Sequence, residues 1–82
     1  MEDEARVYAS LGRRIRQLRR ERGLTQERLA IAAGLNRAYV GYIERAERQA
    51  SVWTVARIAR ALDVDLPECF RFEPVQDDMR LS

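Results

Sequence analysis

The sequence predicts an all-α domain made of five short helices. Three observations carry that prediction. Apolar residues recur three and four positions apart in successive stretches, as the buried stripe of a helix requires. Helix-capping residues and glycines separate the stretches at short intervals. No segment alternates apolar and polar residues as a pair of strands would. With 82 residues, 46% of them apolar, the chain can bury one core and forms one domain. The expected division is a folded domain over 1–72 and a flexible polar tail over 73–82.

Taken in order, residues 1–6 read as a frayed acidic arm. Helix 1 is expected from about Val7 to Arg22, with Val7, Leu11, Ile15 and Leu18 on one face and arginines filling much of the rest. Gly23 supplies a left-handed stop. Thr25 can cap helix 2, and Leu24 and Leu29 have the spacing of a hydrophobic staple. Leu29, Ala30 and Ala33 face inward, and Gly34 ends the helix. Asn36 then caps helix 3, about Arg37 to Arg45, where Leu35 and Val40 repeat the staple. Its inward residues are Val40 and Ile43, while Arg37, Ala38, Gly41 and Tyr42 lie on the other side.

Residues 46–50 form a basic and polar loop. Ser51 caps helix 4, about Val52 to Leu62, with Val52, Val55, Ile58, Ala59 and Leu62 expected in the core. Asp65 and Glu68 form a pair resembling a capping box at the start of helix 5, and Pro67 is tolerated in its first turn. Phe70 and Phe72 close the ordered part.

Helices 2 and 3 have the spacing of a DNA-binding helix-turn-helix, whose second helix enters the major groove. Ala30 is small where the two helices cross, and Gly34 sits where the chain turns with positive φ. Charge points the same way. The net charge of +2 divides into −3 over residues 1–5, +9 over residues 6–60 and −4 over residues 61–82. The basic middle coincides with the helix-turn-helix, as a polyanion-binding face should.

Other function classes lack parts. The chain has no histidine, one cysteine, no cluster of metal ligands and no glycine-rich phosphate loop. General acid–base, nucleophilic and metal chemistry are therefore not expected, nor are a cofactor or a small-molecule ligand. Cys69 cannot form an intrachain disulfide and reads as a small hydrophobe on a core face. No apolar run approaches the ~20 residues that span a membrane, and the acidic start is unlike a signal peptide. A cytoplasmic protein is expected.

The stretch LTQERLAIAAGLNRAYVGYIERAERQASVWTVARIARALDV resembles the lambda-repressor-like (Cro-type) helix-turn-helix family, over Leu11 to about Leu66. The short chain and the run LNRAYVGYIERAER look most like the controller proteins of restriction–modification systems. The resemblance implies a transcriptional regulator that binds a two-fold operator in double-stranded DNA as a homodimer. A phage-type repressor, or an antitoxin-type regulator that also holds a partner protein, is the alternative.

For single residues it implies that Thr25 and Gln26 meet a phosphate at the start of helix 2, where free amides favour an anion. Asn36 and Arg37 open the recognition helix, and Arg37 is the foremost candidate to read a base, by pairing with guanine. Ala38 and Tyr39 could pack on a thymine methyl, Tyr39 having a second reading as a partly buried ring. Tyr42 could reach a base or phosphate one turn further on. Arg45 and Arg48 resemble flanking phosphate contacts. Arg19 and Glu44 match a partly buried ion pair. For the dimer seam the resemblance points to helix 5, hence to Leu66, Cys69 and Phe70. Trp53 on helix 4 either joins that seam or folds onto its own domain.

Overall fold

Five helices are arranged in the expected order in the computed structural model, which describes residues 3–72. The expected tail over 73–82 and the first two residues of the expected arm lie outside the described residues. The helices are α1 (Glu4–Glu21), α2 (Gln26–Ala33), α3 (Arg37–Glu44), α4 (Val52–Leu62) and α5 (Leu66–Cys69), with no strand among the described residues. Also among these, no helix is long and apolar enough to cross a membrane.

Local chemistry sets the helix starts. The Thr25 hydroxyl accepts from the Arg28 amide at 3.0 Å, the Asn36 side chain from the Ala38 amide at 2.7 Å, and the Ser51 hydroxyl from the Thr54 amide at 3.0 Å. Each satisfies one of the amides that a helix start leaves without a partner. Gly34 closes α2 at φ 70°, in the left-handed region where a side chain is strained. Leu24 and Leu35, the outer halves of the two staples, pack against the core. That core draws Leu11, Ile15 and Leu18 from α1, Leu29 from α2, Val40 and Ile43 from α3, and Val55, Ile58 and Leu62 from α4. Helix α3 packs on α1 and α2, so its back is held and its front is left outward.

The structure corrects several expectations. Helix α1 starts at Glu4, not Val7, because Asp3 caps it by accepting from the Arg6 amide at 2.8 Å. Residues 3–6 of the expected arm are thus a capped first turn. Val7 and Val52 keep the apolar spacing of their helices yet are exposed, Val52 to 67%. Both lie in a first turn, before the helix has entered the packed layer. Asp65 makes no side-chain cap bond. Glu68 turns instead to Arg14, at 3.1 Å, and to Arg71, at 3.3 Å. Cys69 is fully buried, which removes it from any surface seam. Burial pushes its thiol up to about 11, so it stays neutral near pH 7.

Much of the arginine content has a structural use that composition does not reveal. Arg14 Nε donates to the Glu68 carbonyl at 2.8 Å, Arg22 Nε to the Leu62 carbonyl at 2.7 Å, and Arg57 Nη2 to the Gly34 carbonyl at 2.8 Å. These carbonyls lie at the C-terminal ends of α5, α4 and α2, where backbone acceptors lack intrahelical partners and the helix dipole favours a cation. Three charges of the basic middle therefore tie helices together.

Candidate nucleic-acid interface

The outward face of α3 gathers most of the residues expected to meet DNA. Gln26, Arg37, Ala38, Gly41, Tyr42 and Arg45 line one open concavity of about 250 Å³. Arg37, Ala38, Arg45 and Arg48 are exposed, and Tyr42 is half-buried. Two cations approach the Tyr42 ring, the Arg45 guanidinium at 5.6 Å and the Arg48 guanidinium at 5.3 Å from its centre. These are cation–π distances, and the ring holds both cations beside the helix. Arg45 also pairs with Glu47 at 3.2 Å, and that hydrogen bond raises its pKa further, so it remains a cation.

Behind this face lies a buried polar network. Arg19 Nε donates to Glu44 Oε2 at 2.7 Å and Arg19 Nη2 to Glu44 Oε1 at 3.0 Å, a two-pronged pairing of α1 with the end of α3. Arg19 Nη1 also donates to the Leu24 carbonyl at 2.8 Å. Gln26 Nε2 donates to Glu44 Oε1 at 3.0 Å, which draws α2 into the network. One carboxylate thereby fixes the mutual placement of α1, α2 and α3, and with it the aim of α3. The Gln26 bond spans 18 positions, and no local spacing announces it.

The remaining expected residues are placed as follows. The side-chain oxygens of Thr25 and Asn36 are occupied by their caps. Tyr39 is partly buried, packs against the core and donates its hydroxyl proton to the Gln49 carbonyl at 3.2 Å, so it holds the loop after α3. Gly41, expected on the open side of α3, is buried beneath side chains. A Cβ there would lie 3.1 Å from Arg45 Nη1 and 3.5 Å from Gln26 Oε1, so those two side chains occupy the space its hydrogen leaves. On the other side of the domain, Trp53 is 71% and Ile31 73% exposed, and both line a groove between α2 and α4. Trp53 is thus not folded onto its own domain. It stands ~14 Å along α4 from the end that leads into α5, where Leu66 is half-buried and Phe70 exposed.

The helix-turn-helix domain model matches residues 10–69. The chain belongs to the helix-turn-helix domain family, a class of DNA-binding transcriptional regulators and not of enzymes. Among its relatives, control protein C.SmaI of Serratia marcescens is 38% identical over 58 residues, which cover 71% of this chain and 69% of that protein. The crystal structure of the restriction-modification controller protein C.AhdI from Aeromonas hydrophila matches with a TM-score of 0.76 at 43% identity, covering 77% of this chain and 96% of that one. The immunity repressor protein of Bacillus phage phi105 is 40% identical over 57 residues, covering 70% of this chain and 40% of the repressor.

Proposed function

We propose that the outward face of α3 reads base pairs in the major groove, and that the chain acts as a homodimer on a two-fold operator, as the controller of a restriction–modification system. The observation that carries this is the gathering of Arg37, Tyr42, Arg45 and Arg48 on the one side of α3 that α1 and α2 leave open. Arg37 stands in the first turn, where its planar fork can pair with guanine O6 and N7. Ala38 beside it offers a methyl-sized contact to thymine. Arg45 and Arg48, steadied by the Tyr42 ring, meet phosphates that flank the bases.

The start of α2 supplies a further phosphate contact through its backbone amides and the Gln26 N–H that Glu44 does not use. Asn36 keeps its amide nitrogen for the duplex, and Tyr39 serves by holding the loop that carries Arg48. A two-fold operator requires two copies with α3 helices about one turn, ~34 Å, apart. The exposed Phe70 and Trp53 and the half-buried Leu66 offer apolar surface for the seam. The controller role rests on the resemblance to C.SmaI and C.AhdI, and the phage repressor supports a second reading in which the same face serves a phage circuit. The DNA-binding role places the protein in the cytoplasm in either reading.

In a gel-shift titration against a duplex selected from a random pool, Arg37→Ala should lose about 1–3 kcal/mol of its preference over arbitrary DNA, roughly fivefold to 150-fold. Affinity of the unaltered protein should fall steeply with salt as counterions are released. Equal preference before and after the substitution, or affinity indifferent to salt, contradicts the reading.

A further inference from the structure

Gly41 stands in the middle of α3, a helix of eight residues, where glycine is a poor helix former beside alanine. Neither need that glycine commonly meets is present there. Positive φ among the glycines belongs to Gly23 and Gly34, so Gly41 keeps a helical backbone that alanine adopts as readily. No backbone of another helix is among the nearest atoms that a Cβ would meet. These are Arg45 Nη1 at 3.1 Å, Gln26 Oε1 at 3.5 Å and Arg45 Nη2 at 3.6 Å, all of them ends of flexible side chains.

Those two side chains come from different elements, and each is held at a second point. Gln26, the first residue of α2, donates through Nε2 to the Glu44 carboxylate at 3.0 Å. Arg45, which ends α3, pairs with Glu47 at 3.2 Å and approaches the Tyr42 ring. Arg45 follows Gly41 by four positions, and a helical side chain leans back over the turn before it. Its guanidinium thus comes over Gly41 beside the Gln26 amide, in the concavity that Arg37 and Ala38 also line. The Arg45 side chain is still 54% exposed, so it has donors left for a ligand.

We infer that Gly41 is a positioning residue for the contact with DNA. By carrying no side chain, it lets the Gln26 amide and the Arg45 guanidinium close over α3 side by side and meet the duplex backbone as one unit. The inference rests on the reading that the outward face of α3 meets DNA. It gives Gly41 no base contact of its own. A side chain at position 41 therefore weakens binding to every duplex alike, because phosphate contacts carry no sequence information. Stability and binding respond in opposite directions, since the helix itself gains from losing a glycine.

The first test uses no DNA. In NMR spectra of the full chain, the Arg45 Nε–Hε signal and the Gln26 side-chain amide signals should move in Gly41→Ala and move further in Gly41→Val. The Nε–Hε signals of Arg22 and Arg57 should stay in place. Gln26 and Arg45 signals that are unmoved in both variants overturn the inference.

The second test titrates a selected duplex and an arbitrary one. Gly41→Ala should weaken both about threefold and Gly41→Val both about tenfold, roughly the worth of one charge-assisted hydrogen bond. In Gly41→Val the slope of log affinity against log salt should become shallower by ~1, as one phosphate contact is lost. Where Gln26 and Arg45 are already alanine, Gly41→Val should add less than about twofold, because the groups it displaces are gone. A loss that persists in that background, or one confined to the selected duplex, makes Gly41 a point of direct approach to DNA and overturns the inference. Gly41 variants that bind as tightly as the unaltered protein, while Arg37→Ala still loses its preference, overturn it and leave the reading of α3 standing.

Discussion

Arg19→Ala is expected to cost the domain about 3–5 kcal/mol of stability. Arg19 and Glu44 are each only 8% exposed, and the Glu44 carboxylate takes both prongs of the guanidinium. Without Arg19, that carboxylate stays buried with one neutral partner, the Gln26 amide. The Leu24 carbonyl loses its donor as well. The loss far exceeds what the pair is worth in net terms, because a charge is left in a low-dielectric site. For a domain of this size each kcal/mol corresponds to ~4–8 °C, so the melting temperature should fall by more than ~12 °C. Arg19→Lys keeps the charge without the fork, and its loss should be intermediate. A drop of only a few degrees for Arg19→Ala would show that the network does not hold α1 to α3.

Gly12→Val should be nearly as damaging, at about 3 kcal/mol or more. At Gly12 the backbone of α1 lies against the backbone of α3. A Cβ there would come within 2.5 Å of the Ile43 carbonyl oxygen and 2.6 Å of the Glu44 carbonyl oxygen. Both are backbone atoms at the end of α3, and neither can swing aside as a side chain would. The two helices must separate, and overpacking of this kind costs ~1–3 kcal/mol even where neighbours can adjust. Gly41→Ala is the informative contrast. The atoms facing it are the ends of the flexible Arg45 and Gln26 side chains. Replacing a mid-helix glycine recovers up to ~1 kcal/mol of helix propensity, so stability should hold or rise. Chemical denaturation of the two variants checks both outcomes, and equal stabilities would contradict the close approach at Gly12.

These two residues also mark where the sequence was legible and where it was not. Thr25, Asn36, Ser51 and Gly34 could be read because each acts on backbone within a few positions of itself. Apolar spacing marks the helices to within a residue except at the start of α1, where Asp3, in a stretch that reads as an acidic arm, caps the helix. The Arg19–Glu44 pair came from family resemblance, since nothing in the spacing links positions 25 apart. Gly12 carried no local sign, because what makes it necessary is the backbone of α3 lying across it.

For the same reason the bonds of Arg22 to Leu62 and of Arg57 to Gly34, across 40 and 23 positions, could not be separated from the excess of basic charge. At the candidate site, periodicity placed Arg37, Ala38 and Tyr42 on the open side of α3. It could not show that Gln26 and Arg45 fold over Gly41, because that depends on which rotamers the network behind α3 selects.

The most direct check on the central claim is to map, by NMR, which backbone amides of the full chain respond to a duplex selected from a random pool. The largest changes should fall on Gln26, Arg37, Ala38, Tyr42, Arg45 and Arg48, with Ile31 and the groove between α2 and α4 little affected. Changes centred on that groove, with the front of α3 unmoved, would contradict the assignment of α3 as the element that meets DNA.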